Sequence, residues 1–118
     1  MFRITKEFHF SASHQLIGLS ADHPCARLHG HNYIVEVELS STKLDPNGFV
    51  LDYRELAPLK RWIDDQLDHR HLNEVFDHDM VTSEYLAKLI FDWAKQRWHQ
   101  ISAVRVSETP KTWAEYRP

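Results

Sequence analysis

The segment HGHNYIVEVEL, residues 29–39, sets the expected fold because its side chains alternate between two classes. One parity carries two histidines and a run of apolar residues, namely His29, His31, Tyr33, Val35, Val37 and Leu39. The other parity is largely polar and includes Glu36 and Glu38. Successive side chains of a β-strand point to opposite faces, so this pattern predicts a strand with one apolar face and one wet face. Antiparallel sheets allow such a strand.

An earlier segment, residues 2–14, has the same alternation and predicts a first strand. Its apolar parity comprises Phe2, Ile4, Phe8, Phe10, Ala12 and His14, with Lys6 as the exception. Residues 15–27 lose the alternation and include Gly18 and Pro24, which predicts a loop. The two strands are therefore expected to pair antiparallel, with the end of the first near the start of the second.

A helix is expected after the second strand, beyond a short extended piece at residues 49–51. Asp52 resembles an N-cap, and Glu55 three residues later is its capping-box partner. Apolar residues then recur at helical spacing over residues 53–67. Pro58 is expected to kink this helix, because proline cannot donate the backbone hydrogen bond.

The remainder of the chain predicts one more helix and two more strands. Thr82 or Ser83 caps the second helix, and extended segments follow at residues 101–108 and 112–116. The element order is ββααββ, with no repeats or linkers. We therefore predict a single α+β domain over residues 1–118, in which two helices cover one face of an antiparallel sheet.

Composition limits the classes of function. The chain has 118 residues, a formal net charge of -3 and no basic stripe, so a nucleic-acid partner is not expected. No apolar run reaches the length of a membrane span, and residues 1–6 alternate like a strand and lack a signal-peptide core. The expectation is a cytoplasmic protein without a membrane partner. Histidine is unusually frequent, with nine residues, and the single cysteine excludes an intrachain disulfide.

His29 and His31 are spaced to bind one metal ion, because residues two apart in a strand share a face. Gly30 between them leaves room for a ligand. The predicted strand pairing brings His14 next to them as a third ligand. A single half-buried histidine is usually structural, but three on one face favour a zinc site. Three imidazoles with an open fourth position are typical of catalytic zinc.

Cys25 has three possible roles on the residues alone: a proton-transfer thiol, a fourth zinc ligand or an inert packed side chain. Asp68 beside His69 could orient and activate the imidazole, although such a dipeptide is more often a solvated helix terminus. Glu108 places a carboxylate on the apolar parity of its strand. It either marks the strand end or meets a ligand that offers paired N–H donors.

Several motifs together resemble the 6-pyruvoyl-tetrahydropterin synthase superfamily over nearly the whole chain. They are residues 10–14 (FSASH), 25–33 (CARLHGHNY), 48–53 (GFVLDY), 67–73 (LDHRHLN), 82–84 (TSE) and 106–109 (VSET). Three residues separate Cys25 from His29, as in the bacterial branch that forms 6-carboxy-5,6,7,8-tetrahydropterin in the queuosine (7-deazaguanine) pathway.

The resemblance implies a tunnelling fold, in which ββααββ protomers form trimeric barrels that stack into homo-hexamers with active sites between subunits. It implies a zinc-dependent lyase that converts 7,8-dihydroneopterin 3'-triphosphate to the 6-carboxy product with release of acetaldehyde and triphosphate. Carried over residue by residue, it assigns zinc to His14, His29 and His31, proton transfer to Cys25 with Asp68 and His69, and the guanidine-like edge of the pterin to Glu108.

Two alternatives remain open. The same scaffold could stop at the 6-pyruvoyl product, or the domain could be a non-catalytic metal-binding or pterin-binding module. Residues 15–24 and 110–118 match no pattern, and Arg27 and Lys111 are candidates for the triphosphate only by proximity to motif residues.

Overall fold

A computed structural model describes residues 1–118. The two strands predicted from the alternating segments are among its longest elements. Strands β1 (Phe2–His14) and β2 (His29–Ser41) pair antiparallel along their full length. The register sets His14 opposite His29 and Ala12 opposite His31. The predicted pairing of the two strands is therefore confirmed.

Strands β3 (Ile101–Thr109) and β4 (Thr112–Tyr116) complete an antiparallel sheet in the order β1-β2-β3-β4. All helices lie between β2 and β3 in the chain. The α+β class is confirmed. None of the helices combines the length and apolar character that crossing a membrane requires.

The first predicted helix is divided into two parts. Residues Tyr53–Leu56 form a 3-10 turn, and helix α1 follows at Ala57–Gln66. The expected kink at Pro58 was wrong, because this residue lies in the first turn of α1, where its missing N–H has no intrahelical partner to lose. The Asp52 side chain accepts the Arg54 N–H as a cap, but Glu55 makes no reciprocal hydrogen bond.

Three helices are present, so the expectation of two was wrong. Helix α2 (Leu72–Phe76) has five residues, too few to show a 3.6-residue period in the sequence. Helix α3 (Ser83–Lys95) begins as predicted, since the Thr82 hydroxyl accepts the Tyr85 N–H at 3.1 Å. The piece at 49–51 is irregular and forms no strand.

The core lies between the helices and the predicted apolar face of the sheet. Phe10, Tyr33 and Val35 are buried there against Leu59 of α1 and Ile90 of α3. The apolar parity of β1 is only partly buried, because Phe2 at the start of the strand is 49 % exposed. His14, at the other end, is buried with the core.

The opposite face of the sheet is not uniformly exposed to solvent. The expectation that Glu38 lies on a solvent-exposed face was therefore wrong. This residue is completely buried. Its carboxylate receives hydrogen bonds from Ser102, Arg105 and Arg117, and Arg3 lies 3.3 Å away. A buried carboxylate is tolerated because cations and hydroxyl donors satisfy it. We call this group the Glu38 cluster.

Candidate metal centre and adjoining cavities

The β1–β2 register creates a cluster of three imidazoles. One potential ligand atom each from His14, His29 and His31 lies within 4.8 Å of the others. His14 is 1 % exposed, while His29 and His31 are half-buried. The cluster thus has a closed inner side and a more open outer side.

Two of these rings are held in a tautomer that frees Nε2. His14 Nδ1 lies 2.7 Å from the Val81 carbonyl, and His29 Nδ1 lies 2.7 Å from the Arg27 carbonyl. A carbonyl only accepts, so each Nδ1 carries the proton and each neutral ring presents a bare Nε2. These two Nε2 atoms lie 2.9 Å apart. Two lone pairs repel at that distance unless a proton or a metal cation lies between them.

His31 supplies a third unpaired nitrogen. Its Nε2 is buried and has no hydrogen-bond partner. The Glu108 carboxylate lies 3.2 Å from it, but the contact lacks hydrogen-bond geometry, and the same oxygen lies 3.6 Å from His14 Nε2. Burial lowers the pKa of both His14 and His31, which favours the neutral, metal-binding form.

The residues fit a zinc ion. Tetrahedral zinc with Zn–N bonds of about 2.0–2.1 Å separates ligand nitrogens by roughly 3.3 Å, so small side-chain rotations suffice from the observed spacing. The carbonyl partners of His14 and His29 are the outer-shell acceptors that orient metal-binding imidazoles. Three protein nitrogens would leave a fourth coordination position open, and the Glu108 carboxylate lies 3.2 Å from His31 Nε2.

Glu108 also borders a cavity of about 240 Å³. Ser83 and Glu84 at the start of α3, and Trp113 of β4, line the same cavity. The Ser83 hydroxyl is buried without a hydrogen-bond partner, so a polar ligand would satisfy it. Sequence reasoning did not assign these three residues to the site. The TSE motif at 82–84 was the available signal for two of them.

Asp68 and His69 form the pair that the sequence suggested. Asp68 Oδ2 lies 2.9 Å from His69 Nδ1, and Asp68 Oδ1 accepts the Ser11 N–H at 2.9 Å. The Ser11 N–H and then His69 lower the pKa of Asp68 and keep it ionised. His69 has a positive φ of 58°, and its N–H donates to the Ser11 carbonyl. The backbone of β1 thus fixes a strained turn that presents an exposed imidazole.

A second cavity, of about 470 Å³, brings His69 and His31 to one surface. Most of its other lining residues are polar and include Ser11, Asn32 and His71. Ser13 Oγ lies 3.0 Å from His71 Nδ1, so the segment after α1 is attached alongside β1. No acidic residue lines this cavity.

Cys25 lies apart from these groups. It belongs to a 3-10 turn, Pro24–Ala26, within the predicted loop, and its N–H donates to His23 Nδ1 at 3.1 Å. It is half-buried, and it belongs neither to the imidazole cluster nor to the lining of the two cavities. Within one chain, therefore, the structure assembles the three histidines with Glu108, and Asp68 with His69, but leaves the thiol separate.

The fold and the site define an α+β domain in which paired antiparallel strands carry a cluster of three histidines that could hold a metal ion. The chain belongs to the 6-pyruvoyl tetrahydropterin synthase family, whose family model matches residues 3–118.

Individual relatives agree with this membership. A Bacillus subtilis protein named 6-carboxy-5,6,7,8-tetrahydropterin synthase is 31 % identical over 99 % of this chain and 86 % of its own. A Haemophilus influenzae protein of the same name is 30 % identical over 99 % of both chains. The solved structure of Caenorhabditis elegans 6-pyruvoyl tetrahydropterin synthase superposes with a TM-score of 0.86 at 30 % identity, over 99 % of this chain and 95 % of that one.

Proposed function

We propose that the protein is a zinc-dependent lyase that converts 7,8-dihydroneopterin 3'-triphosphate to 6-carboxy-5,6,7,8-tetrahydropterin in queuosine (7-deazaguanine) biosynthesis, with release of acetaldehyde and triphosphate. The observation that carries the proposal is the convergence of one imidazole nitrogen each from His14, His29 and His31 to within 4.8 Å of one another. The names of the Bacillus and Haemophilus relatives support the substrate and product.

His14, His29 and His31 hold the metal in this proposal. Zinc bound there acidifies hydroxyl groups that coordinate to it. The Val81 and Arg27 carbonyls fix the ring orientation of His14 and His29, so the ligand set is preorganised before metal binds. A zinc ion held by three protein nitrogens would leave a coordination position for the hydroxylated side chain of the substrate.

Glu108 recognises the guanidine-like edge of the pterin. A carboxylate accepts two parallel N–H donors, which such a ring edge supplies. The adjoining cavity supports this role, because Ser83 and Glu84 add a free hydroxyl and a second carboxylate, and Trp113 adds an aromatic surface. In the observed rotamer Glu108 faces His31, so the alternative role is a fourth metal ligand.

Substitution of Glu108 by glutamine separates these two roles. If Glu108 recognises the pterin, E108Q keeps full zinc content and raises KM, because the amide loses one acceptor and gains a donor. If Glu108 is a ligand, E108Q loses zinc. Metal analysis and steady-state kinetics on the same preparation distinguish the outcomes.

Cys25 and the Asp68–His69 pair transfer protons in this proposal. The His69 side chain is 81 % exposed and Cys25 lies apart from it, so we propose that a homo-oligomer brings the thiol of one chain to the imidazole of another. The dimer of trimers implied by the resemblance provides such an interface. Mixing inactive C25A and H69A chains, after dissociation and reassembly, is then expected to restore part of the activity.

The product assay is the decisive test. Purified protein with zinc is incubated with 7,8-dihydroneopterin triphosphate, and the products are identified by mass spectrometry. Acetaldehyde together with the carboxylated pterin supports the proposal. A pyruvoyl product without acetaldehyde supports the alternative, which the likeness to the Caenorhabditis elegans structure favours.

Metal analysis tests the ligand assignment. His29→Ala is expected to lose most of the bound zinc, because two imidazoles do not hold it stably. His9→Ala is the matched control, since this histidine of β1 is two-thirds exposed and outside the cluster. Equal zinc content in the two variants would contradict the assignment.

A non-catalytic module makes a different prediction for Cys25→Ala. The lyase is expected to keep its zinc and its oligomer while turnover falls by about 10² or more. A binding module has no turnover to lose, and its zinc content or stability falls if the thiol is a ligand.

A further inference from the structure

The Asn73 side chain connects three separate segments of the chain. Its Oδ1 accepts the Gln15 N–H at 2.8 Å, and its Nδ2 donates to the Gln15 carbonyl at 2.7 Å. Nδ2 also lies 3.0 Å from the His78 carbonyl and 3.3 Å from the Asp79 carbonyl. One carboxamide in α2 therefore bonds both to Gln15, the residue after β1, and to the turn that follows α2.

Gln15 and its neighbour Leu16 bond in turn to the 3-10 turn that contains Cys25. Its side-chain Nε2 donates to the Ala26 carbonyl at 2.9 Å, and the next residue, Leu16, donates its N–H to the Cys25 carbonyl at 2.9 Å. These are hydrogen bonds from the Asn73-bound segment to the 3-10 turn at Pro24–Ala26.

The segment after β1 also bonds to the turn that follows α2. The Ile17 N–H donates to the Asp79 carbonyl at 3.0 Å, and two residues later the Val81 carbonyl accepts His14 Nδ1. Asn73 thus lies between the Cys25 turn and the segment that contains Val81, whose carbonyl orients His14. Asn73 is the last residue of the LDHRHLN motif, and sequence reasoning assigned it no separate role in the site.

The Asn73 carboxamide oxygen accepts the Gln15 N–H, and its two N–H donors are shared among three backbone carbonyl oxygens. Aspartate keeps the acceptor but loses both N–H donors, and its charge faces three carbonyl oxygens. The segment at 15–27 has little regular structure, so its order depends on such contacts. Loss of the amide donors is therefore expected to loosen the Cys25 turn first.

We propose that Asn73 is a positioning residue that fixes the Cys25 turn relative to the metal centre through Gln15. The catalytic consequence rests on the proposed function, in which Cys25 transfers a proton. The structural consequence, a thiol held in one position, does not rest on it.

Asn73→Asp and Gln15→Leu test the proposal at the two ends of the connection. Asn47→Asp is the matched control, because Asn47 is exposed and its side chain makes no hydrogen bond. Cys25 is the single cysteine, so its iodoacetamide alkylation rate at fixed pH reports the turn without ambiguity. Zinc content, the circular-dichroism melt, kcat and KM are measured alongside.

Both test variants are expected to raise the alkylation rate at least threefold and to lower kcat at least tenfold, with KM within threefold of wild type and zinc retained. The control is expected to match wild type in every measurement. If Asn73→Asp fails to fold, Asn73→Ala decides, since it removes the same side-chain hydrogen bonds without placing a charge against the carbonyl oxygens, whereas Gln15→Leu removes only the side-chain link to Ala26.

Alkylation rates within twofold of wild type in folded variants would overturn the proposal. A faster alkylation with unchanged kcat would overturn the catalytic consequence, because the position of the turn would then not matter to turnover. If the wild-type protein shows no turnover at all, the proposed function fails, and the alkylation rates still establish whether Asn73 holds the turn.

Discussion

Replacing Glu38 by glutamine is expected to destabilise the protein in a pH-dependent way. The carboxylate is completely buried and is surrounded by Arg105, Arg117 and the Ser102 hydroxyl. Glutamine keeps the shape of the side chain but removes the charge that compensates the guanidinium groups. Removal of one partner leaves the others uncompensated, which costs more than the pair itself contributes.

The magnitude follows from the pKa of Glu38. Burial raises this pKa, but hydrogen bonds from Arg117, Ser102 and Arg105 outweigh the effect and lower it from 4.5 to about 2. The full shift corresponds to roughly 3 kcal/mol at 1.36 kcal/mol per unit. The side chains of Arg105 and Arg117 are 23 % and 38 % exposed, so solvent screening reduces the expected contribution to about 2 kcal/mol.

The sign follows from the lowered pKa. The contribution is complete above pH 4.5, the ordinary pKa, and is lost as the pH falls towards 2 and the folded state takes up the proton. The free energy of unfolding of wild type and E38Q is measured by urea titration from pH 7 to pH 3 at one protein concentration. The difference is expected to be about 2 kcal/mol at neutral pH and to fall by about half at pH 3.

Glu36→Gln is the control, since Glu36 is half-buried and has one ion-pair partner, Arg105. It is expected to cost less than about 1 kcal/mol. A difference between wild type and E38Q that does not change with pH would refute the electrostatic explanation. Equal stability of the two proteins at pH 7 would refute the role of the Glu38 cluster altogether.

Three further predictions concern the cap, the core and the metal. Thr82→Ala removes the hydroxyl that accepts the Tyr85 N–H and is expected to cost about 1 kcal/mol in urea unfolding; an unchanged midpoint would contradict the cap. Leu59→Ala, at a fully buried position of α1, is expected to cost about 2–5 kcal/mol, against little for the 41 % exposed Leu44→Ala. Removal of zinc by a chelator is expected to lower the melting temperature by roughly 10 °C if zinc had been present at about a hundred times its Kd, and re-addition is expected to restore it. A chelator without effect on the melt would contradict a metal centre between the strands.

The strand pair was predictable because its signal is local. Period-two alternation over residues 2–14 and 29–39 fixes which side chains share a face, and a connecting loop favours antiparallel pairing. The juxtaposition of His14 with His29 and His31 follows from that pairing. The Thr82 cap was predictable for the same reason, since its partner is three residues away.

Two of the errors occurred where the deciding contact is distant in the sequence. Glu38 was assigned to the wet face by its parity, but Arg105 and Arg117 lie 67 and 79 residues further along the chain and cover it. Helix α2 was missed because five residues carry no period, and its place depends on the hydrogen bonds between Asn73 and Gln15, the residue after β1. The roles proposed for Cys25, Asp68, His69 and Glu108 stay predictions.

The sequence by itself determined the antiparallel strands, the face on which the histidines lie and the family resemblance, because each depends on residue type and short spacing. Tertiary structure alone decided which tautomers His14 and His29 adopt, that Glu108 lies beside His31, and that Asn73 connects Gln15 to the turn after α2. These features depend on hydrogen bonds and contacts between segments far apart in the chain, and only the packed fold fixes such distances.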